Sequence, residues 1–195
     1  MSRMPFRMQR RRQDGATLIE VLVALFILMV GLLGLIGVMI QSQRTQLESY
    51  QRVQALLLVQ DMASRINANQ AAALCYENAA VTFGTGYTAT PDASACASGD
   101  VAQKTRVTKD LIAWNDLLKG SAEVSGGNKV GGILGARGCI TRDAATGVFQ
   151  VSVAWQATDP GGAPPAGITC GNDAANYGGE AFRRAVSITV LPANS

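Results

Sequence analysis

Hydrophobic and polar positions divide this chain unevenly. From Val21 to Ile40 all twenty residues are uncharged and most are strongly apolar. As an α-helix this run rises about 30 Å, which matches the hydrocarbon core of a bilayer. The helical pattern continues beyond it. Gln41 to Asn69 contains neither Gly nor Pro and is rich in Gln, Leu, Ala and Arg, with Met62 among them, all good helix formers. Within it, Leu47, Tyr50, Leu58, Met62 and Ile66 are spaced for a buried stripe. Arg44, Glu48 and Arg52 follow one another at four-residue intervals suited to pairing along one face. The pattern predicts one helix over 16–69, about 80 Å long at the standard rise. No compact domain needs a rod of that length.

The periodicity then changes. Phe149, Val151, Val153 and Trp155 alternate with Gln150, Ser152 and Ala154, a period-two pattern expected of a half-buried strand. Val186, Ile188 and Val190 alternate likewise, and Asp143 to Gly147 reads as the turn joining a strand near Cys139 to the next. Leu111, Trp114, Leu117 and Leu118 predict a short helix between Val107 and Lys119, ended by Gly120. Gly- and Pro-rich stretches at Thr82–Gly99, Ser121–Gly135 and Asp159–Gly179 predict irregular loops. The expected fold class is α+β: a long N-terminal helix, its first half membrane-spanning over 21–40, packed on a small antiparallel sheet of three strands. The aromatic side chains are expected in the core of a head formed by 70–195.

Charge sharpens the picture. Residues 1–15 carry five arginines and one aspartate, a net +4, whereas the remaining 180 residues carry 12 basic and 13 acidic side chains, a net −1. The basicity belongs to the N-terminal tip, and no cationic surface suited to nucleic acid is expected on the body. Histidine is absent, which excludes Ser-His-Asp and Cys-His catalysis and every His-containing zinc site. Asp159, Asn172 and Asp173 lack the spacing of an EF-hand. No enzyme activity, cofactor or metal is expected.

The four cysteines, Cys75, Cys96, Cys139 and Cys170, include no CxxC pair, so an all-thiolate zinc site is disfavoured. An even count beyond an apolar segment suits two disulfides in an oxidising compartment. Three pairings are open. Cys75–Cys96 with Cys139–Cys170 is preferred because it closes the two shortest non-overlapping loops.

One residue breaks the logic of a plain anchor: Glu20 stands at the edge of the apolar run. A secretory signal peptide would have a shorter apolar region and a small-residue cleavage site, whereas Gln41-Ser42-Gln43-Arg44 follows here. An ionisable group at such an edge is costly and by default functional. If the chain were cut between Gly15 and Ala16, Ala16 would carry a free ammonium one helical turn from Glu20. In a bundle of identical helices that amine can neutralise the Glu of a neighbour displaced along the axis, and the pair would fix helix stagger.

Gly15-Ala16-Thr17-Leu18-Ile19-Glu20, followed by Val21-Leu22-Val23-Ala24-Leu25, resembles the class III signal of type IV pilins and pseudopilins. The resemblance implies that 1–15 is a leader removed by a prepilin peptidase on the cytoplasmic side, with the arginines on that side as the positive-inside tendency requires. It implies that Gly15 precedes the scissile bond, that Ala16 becomes the N-methylated terminus, and that Glu20 is the assembly carboxylate. The Pro common in the helices of major pilins is missing. Instead Gly31, Gly34 and Gly37 recur at three-residue spacing, which either softens the helix or permits close helix approach.

Gln60–Asn69, Ala136–Ile140, Val151–Gln156 and Arg183–Thr189 are also similar to stretches of the minor pilins. That likeness implies partners among major and other minor pilins. It implies residence in the inner membrane with a periplasmic head, then incorporation near the tip of a pilus. A minor pseudopilin of a type II secretion system is the alternative.

Overall fold

Helix α1 runs from Leu18 to Ala68, 51 residues in one element. It is drawn here from a computed structural model that describes residues 15, 17–78, 81–121, 124–125, 128–129, 131–172 and 177–193. The chain divides after Arg44. In the first unit, side chains from Leu18 to Ile40 are exposed on every face of the helix. A helix apolar all round is stable only where something other than water covers it. Its length and composition suffice to cross a membrane.

In the second unit, from Thr45 onward, α1 becomes one-sided. Ala55, Val59, Met62, Ala63 and Ile66 are buried at the spacing of a single helix face. The stripe expected from Leu47 therefore starts later. Leu47 and Tyr50 are more than half exposed, and Leu58 lies at the margin. The buried face also includes Ala55 and Ala63, which the expected stripe left out, and small side chains there let the head approach the helix closely.

After α1 the chain turns through a 3-10 segment, Gln70–Tyr76, and then adds β1, Phe83–Gly84. Helix α2 spans Val101–Leu118, beginning six residues earlier than its apolar periodicity suggested. The reason is a capping box at Asp100 and Gln103. The Gln103 amide donates to the Asp100 carboxylate at 2.8 Å, and the Asp100 amide donates to the Gln103 side-chain oxygen at 2.8 Å. Gly120, at φ +86, ends the helix as expected.

A two-residue ladder, β2 (Val124–Ser125) with β3 (Asn128–Lys129), then occupies part of the stretch expected to be irregular. The main strands follow: β4, Arg137–Arg142; β5, Phe149–Gln156; and β6, Arg183–Val190. The sheet has four strands in the order β1-β4-β5-β6, all antiparallel. Three were expected. The fourth, β1, pairs Phe83 with Gly138 inside a segment expected to be loop.

One face of the sheet presents Phe149, Val151, Val153 and Ile140 to α1 and α2, and all four are fully buried. Trp114 of α2 sits in this core and donates its indole N–H to the Leu58 carbonyl at 2.9 Å. The fit is tight at Gly138, where a Cβ would run into the Trp114 ring and Leu118. The other face was expected to meet water, yet Ser152 and Ala154 are buried as well. A second cluster of Cys139, Ala154, Cys170 and Tyr177 covers them. The disulfide Cys139–Cys170 fastens this cover to β4, and Cys75–Cys96 ties the 3-10 segment to the loop before α2. Loops of this size are stabilised by roughly 3–4 kcal/mol each in the chain-entropy model. Arg183 holds the cover from β6, donating to the carbonyls of Ile168 at 2.9 Å and Cys170 at 3.1 Å.

A polar node locks α1 to α2. Arg65 bridges Asp61 at 2.8 Å and Asp110 at 2.9 Å, while the Tyr76 hydroxyl donates to Asp110 at 2.6 Å. Burial opposes the Arg65 charge, but the two carboxylates outweigh it and its pKa rises. Burial, followed by the hydrogen bond to Asp110, pushes the Tyr76 phenol well above its usual range. Such a group binds its proton more tightly folded than unfolded. Its stabilisation is complete below the ordinary tyrosine pKa of about 10 and is lost as pH climbs through the folded value. Unfolding free energy should therefore fall above about pH 10, and Tyr76→Phe should flatten part of that fall. At pH 7 the same substitution should cost about 1–2 kcal/mol for the missing hydrogen bond to a charged group. Denaturant titration followed by tryptophan fluorescence checks both.

Candidate functional site

The chemistry singled out in the sequence lies where α1 begins. Thr17 precedes the helix, and its carbonyl accepts from the amides of Glu20 at 3.0 Å and Val21 at 3.3 Å, so it occupies the N-cap position. Glu20 is thus the third helical residue. Thr17 and Glu20 have the spacing of a capping box, the arrangement that Asp100 and Gln103 complete in α2. At the start of α1 it is not completed. Neither side chain makes a hydrogen bond or ion pair among the described residues. The Glu20 carboxylate faces outward from a helical end whose dipole favours a negative charge.

Its surroundings are otherwise apolar. Leu18, Ile19, Val21, Leu22 and Val23 flank it, all at least half exposed. An ionised carboxylate among such groups is tolerable in water or at a headgroup layer. Once carried into hydrocarbon it needs a cation. Gly15 is exposed, with nothing packed against the position of a side chain. Ala16, expected as the new terminus, lies outside the described residues, as do the arginines before it. Gly31, Gly34 and Gly37 are interior to α1, and none has a neighbour where a side chain would be.

The four cysteines belong to the second unit, where they form its two disulfides. Among the described residues no three Cys, Asp or Glu groups gather in a way that would hold a metal ion. The sequence reading missed one set of residues. Glu48 of α1, in the ladder Arg44, Glu48, Arg52, reaches Arg184 of β6 at 3.7 Å. Alternation within β6 marked Arg184 as sharing the face of Val186 and Ile188, but only the fold brings it to α1.

Residues 10–36 match the family model described as the prokaryotic N-terminal methylation motif. The matched span covers Gly15, Ala16, Glu20 and most of the apolar half of α1. Comparison with curated proteins and with solved structures gives no significant match.

Because Glu20 has no partner among the described residues, its charge should be nearly irrelevant to the helix itself. Glu20→Gln should cost only about 0.3–1 kcal/mol of dipole interaction. The far-ultraviolet circular dichroism of the detergent-solubilised protein should be unchanged. Loss of a helical turn or more would show that the carboxylate has an intrachain task.

Proposed function

We propose that this chain is a type IV pilin-like assembly subunit. Its motifs further suggest a minor pilin resembling PilV, the type IV pilus modification protein. One observation carries the proposal: a carboxylate with no partner among the described residues, in the first turn of an exposed apolar helix and inside an N-terminal methylation motif. A plain membrane anchor has no use for that acid. A subunit that must find its register against identical helices does.

The mechanism follows from two charges. A prepilin peptidase removes residues 1–15 by cutting after Gly15, and Ala16 becomes a cation at the end of the helix. Methylation of a terminal amine leaves its positive charge in place. While the subunit waits in the inner membrane, with its N-terminus cytoplasmic and its head periplasmic, the ammonium and Glu20 sit at the interface. On assembly the ammonium of one subunit seats against Glu20 of a neighbour displaced along the axis. Both charges then enter an apolar helical bundle together. Such a pair contributes register more than net stability, because desolvation offsets most of the Coulomb gain. Misregistered helices would leave two buried charges unpaired, which costs several kcal/mol.

The head contributes recognition rather than chemistry. With other minor pilins it would prime assembly and remain at or near the pilus tip. The stretches Ala136–Ile140 and Val151–Gln156 favour this over a minor pseudopilin of a type II secretion system, whose N-terminal logic is the same. In the structure those stretches form most of β4 and most of β5, the two central strands.

Two substitutions separate processing from assembly. Glu20→Ala should leave the leader cleavable but lower recovery in sheared pili about tenfold or more, since a stranded ammonium in hydrocarbon costs a few kcal/mol. Gly15→Leu should leave the arginine-bearing leader attached and the chain in the membrane, as intact-mass measurement would report. Normal recovery of Glu20→Ala subunits in pili would contradict the role given to the carboxylate.

A further inference from the structure

The two edges of the head sheet are finished differently. On the β1 side the edge is short and occupied. β1 pairs with Arg137 and Gly138, the Thr85 amide donates to the Ala136 carbonyl at 2.8 Å, and the Asn78 amide donates to the Ile140 carbonyl at 3.1 Å. On the other side β6 pairs with β5 through eight unbroken positions, from Arg183 opposite Gln156 to Val190 opposite Phe149. Among the described residues no main-chain group outside β5 hydrogen-bonds to 184–190. In an antiparallel pair every second residue points its N–H and C=O away from its partner, so a row of these groups is left facing outward.

Soluble proteins blunt such an edge with Lys, Pro, a bulge or a covering segment. Residues 185–190, Ala-Val-Ser-Ile-Thr-Val, have no charge, no Pro and no Gly, and their register contains no bulge. Their β-propensity is high. Val186 and Ile188 pack on the core but are not fully buried, and Leu191 beyond them is exposed. One more strand on this edge would complete their burial.

The groove at the start of this edge says what that strand should carry. Arg52, Trp155, Gly162, Pro164, Arg184, Ala185 and Val186 line a groove of about 210 Å³. A contiguous hollow of about 180 Å³ shares Arg52, Trp155 and Arg184 and adds Thr45, Glu48 and Ser49. Arg184 is engaged, donating to the carbonyls of Ala181 and Asp159 and facing Glu48. Arg52 has no partner among the described residues and is exposed. Glu48 Oε1 is buried and accepts no hydrogen bond there. A free guanidinium fork, that of Arg52, therefore lines the grooves at the bare end of β6, and it suits a carboxylate.

We propose that the β6 edge is a docking site for an extended acidic segment of another protein subunit. The segment adds as a fifth strand beside β6 and places a carboxylate on Arg52. The proposal deepens the assembly role by naming the chemistry of a head-to-head partner. It can fail while cleavage after Gly15 and the Glu20 pairing stand, because its test uses neither.

The probe is a fluorescent eight-residue peptide of alternating threonine and valine with a glutamate at each end, titrated into the full chain in detergent. Saturable binding is expected, together with slowed hydrogen exchange confined to the amides of 184–190. Replacing the terminal glutamates by lysine should weaken binding about fivefold or more, as should Arg52→Ala, through loss of the ion pair. Methylating the peptide's backbone nitrogens along one edge should weaken it about tenfold or more, through loss of the ladder. Thr189→Lys, an exposed edge charge that leaves the core untouched, should act in the same direction. Near-ultraviolet circular dichroism of both variants should match the parent. The proposal is overturned by absent saturation, by equal affinity of the lysine or methylated peptides, by protection that maps elsewhere, or by self-association of the chain through β6 without peptide.

Discussion

An ionised group cannot enter hydrocarbon alone, and that constraint orders this molecule. Over Leu18–Ile40 the helix surface is apolar on all sides, and Glu20 is its single charged side chain. The desolvation cost of a bare carboxylate is far larger than any contact the apolar neighbours offer. Glu20 is therefore a position at which another molecule must supply a cation, or at which the helix must stop entering the membrane. The methylation motif over residues 10–36 spans this acid, and under the proposed function the cation comes from the chain's own cut end.

What the second unit adds is a rigid attachment for the continuation of α1. The attachment is made of packing and polar contacts acting together. Trp114 bonds the Leu58 carbonyl from within the core, and Arg65, Asp110 and Tyr76 close a hydrogen-bonded node between the two helices. The sheet is enclosed on both faces, with α1 and α2 on one side and a disulfide-fastened segment on the other. The bond between Cys139 and Cys170 explains how an irregular, Gly- and Pro-rich stretch can serve as a cover. It has few apolar groups to hold it in place, and a covalent tether with the buried Arg183 supplies the restraint. Among the described residues the sheet is left uncovered along β6, which begins beside the guanidinium of Arg52.

Much of this was legible in the residues themselves. The long helix followed from an apolar run joined to a stretch without Gly or Pro, and β5 from the alternation of Phe149, Val151, Val153 and Trp155. Boundaries and faces were harder. The first turns of α2 are polar and show no periodicity, so its start lay hidden in the Asp100–Gln103 spacing. β1 is two residues long, too short to carry a pattern. Leu47 and Tyr50 were assigned to the core because hydrophobicity identifies a face without saying where along a helix the packing begins. Ser152 and Ala154 looked solvent-facing because their cover arrives from a distant part of the chain. Glu20 stood out at once as a charge against an apolar background. Arg52 did not, since its free valence appears only when Arg184 claims Glu48.

Central to the account is the creation of a positive terminus at Ala16 that meets Glu20 of an adjacent subunit. N-terminal sequencing and intact-mass measurement of this chain from sheared surface filaments test it most directly. The account predicts a polypeptide beginning at Ala16, bearing a methyl group on its amine. A chain recovered only from the membrane, beginning at Met1 with its arginines in place, would contradict it.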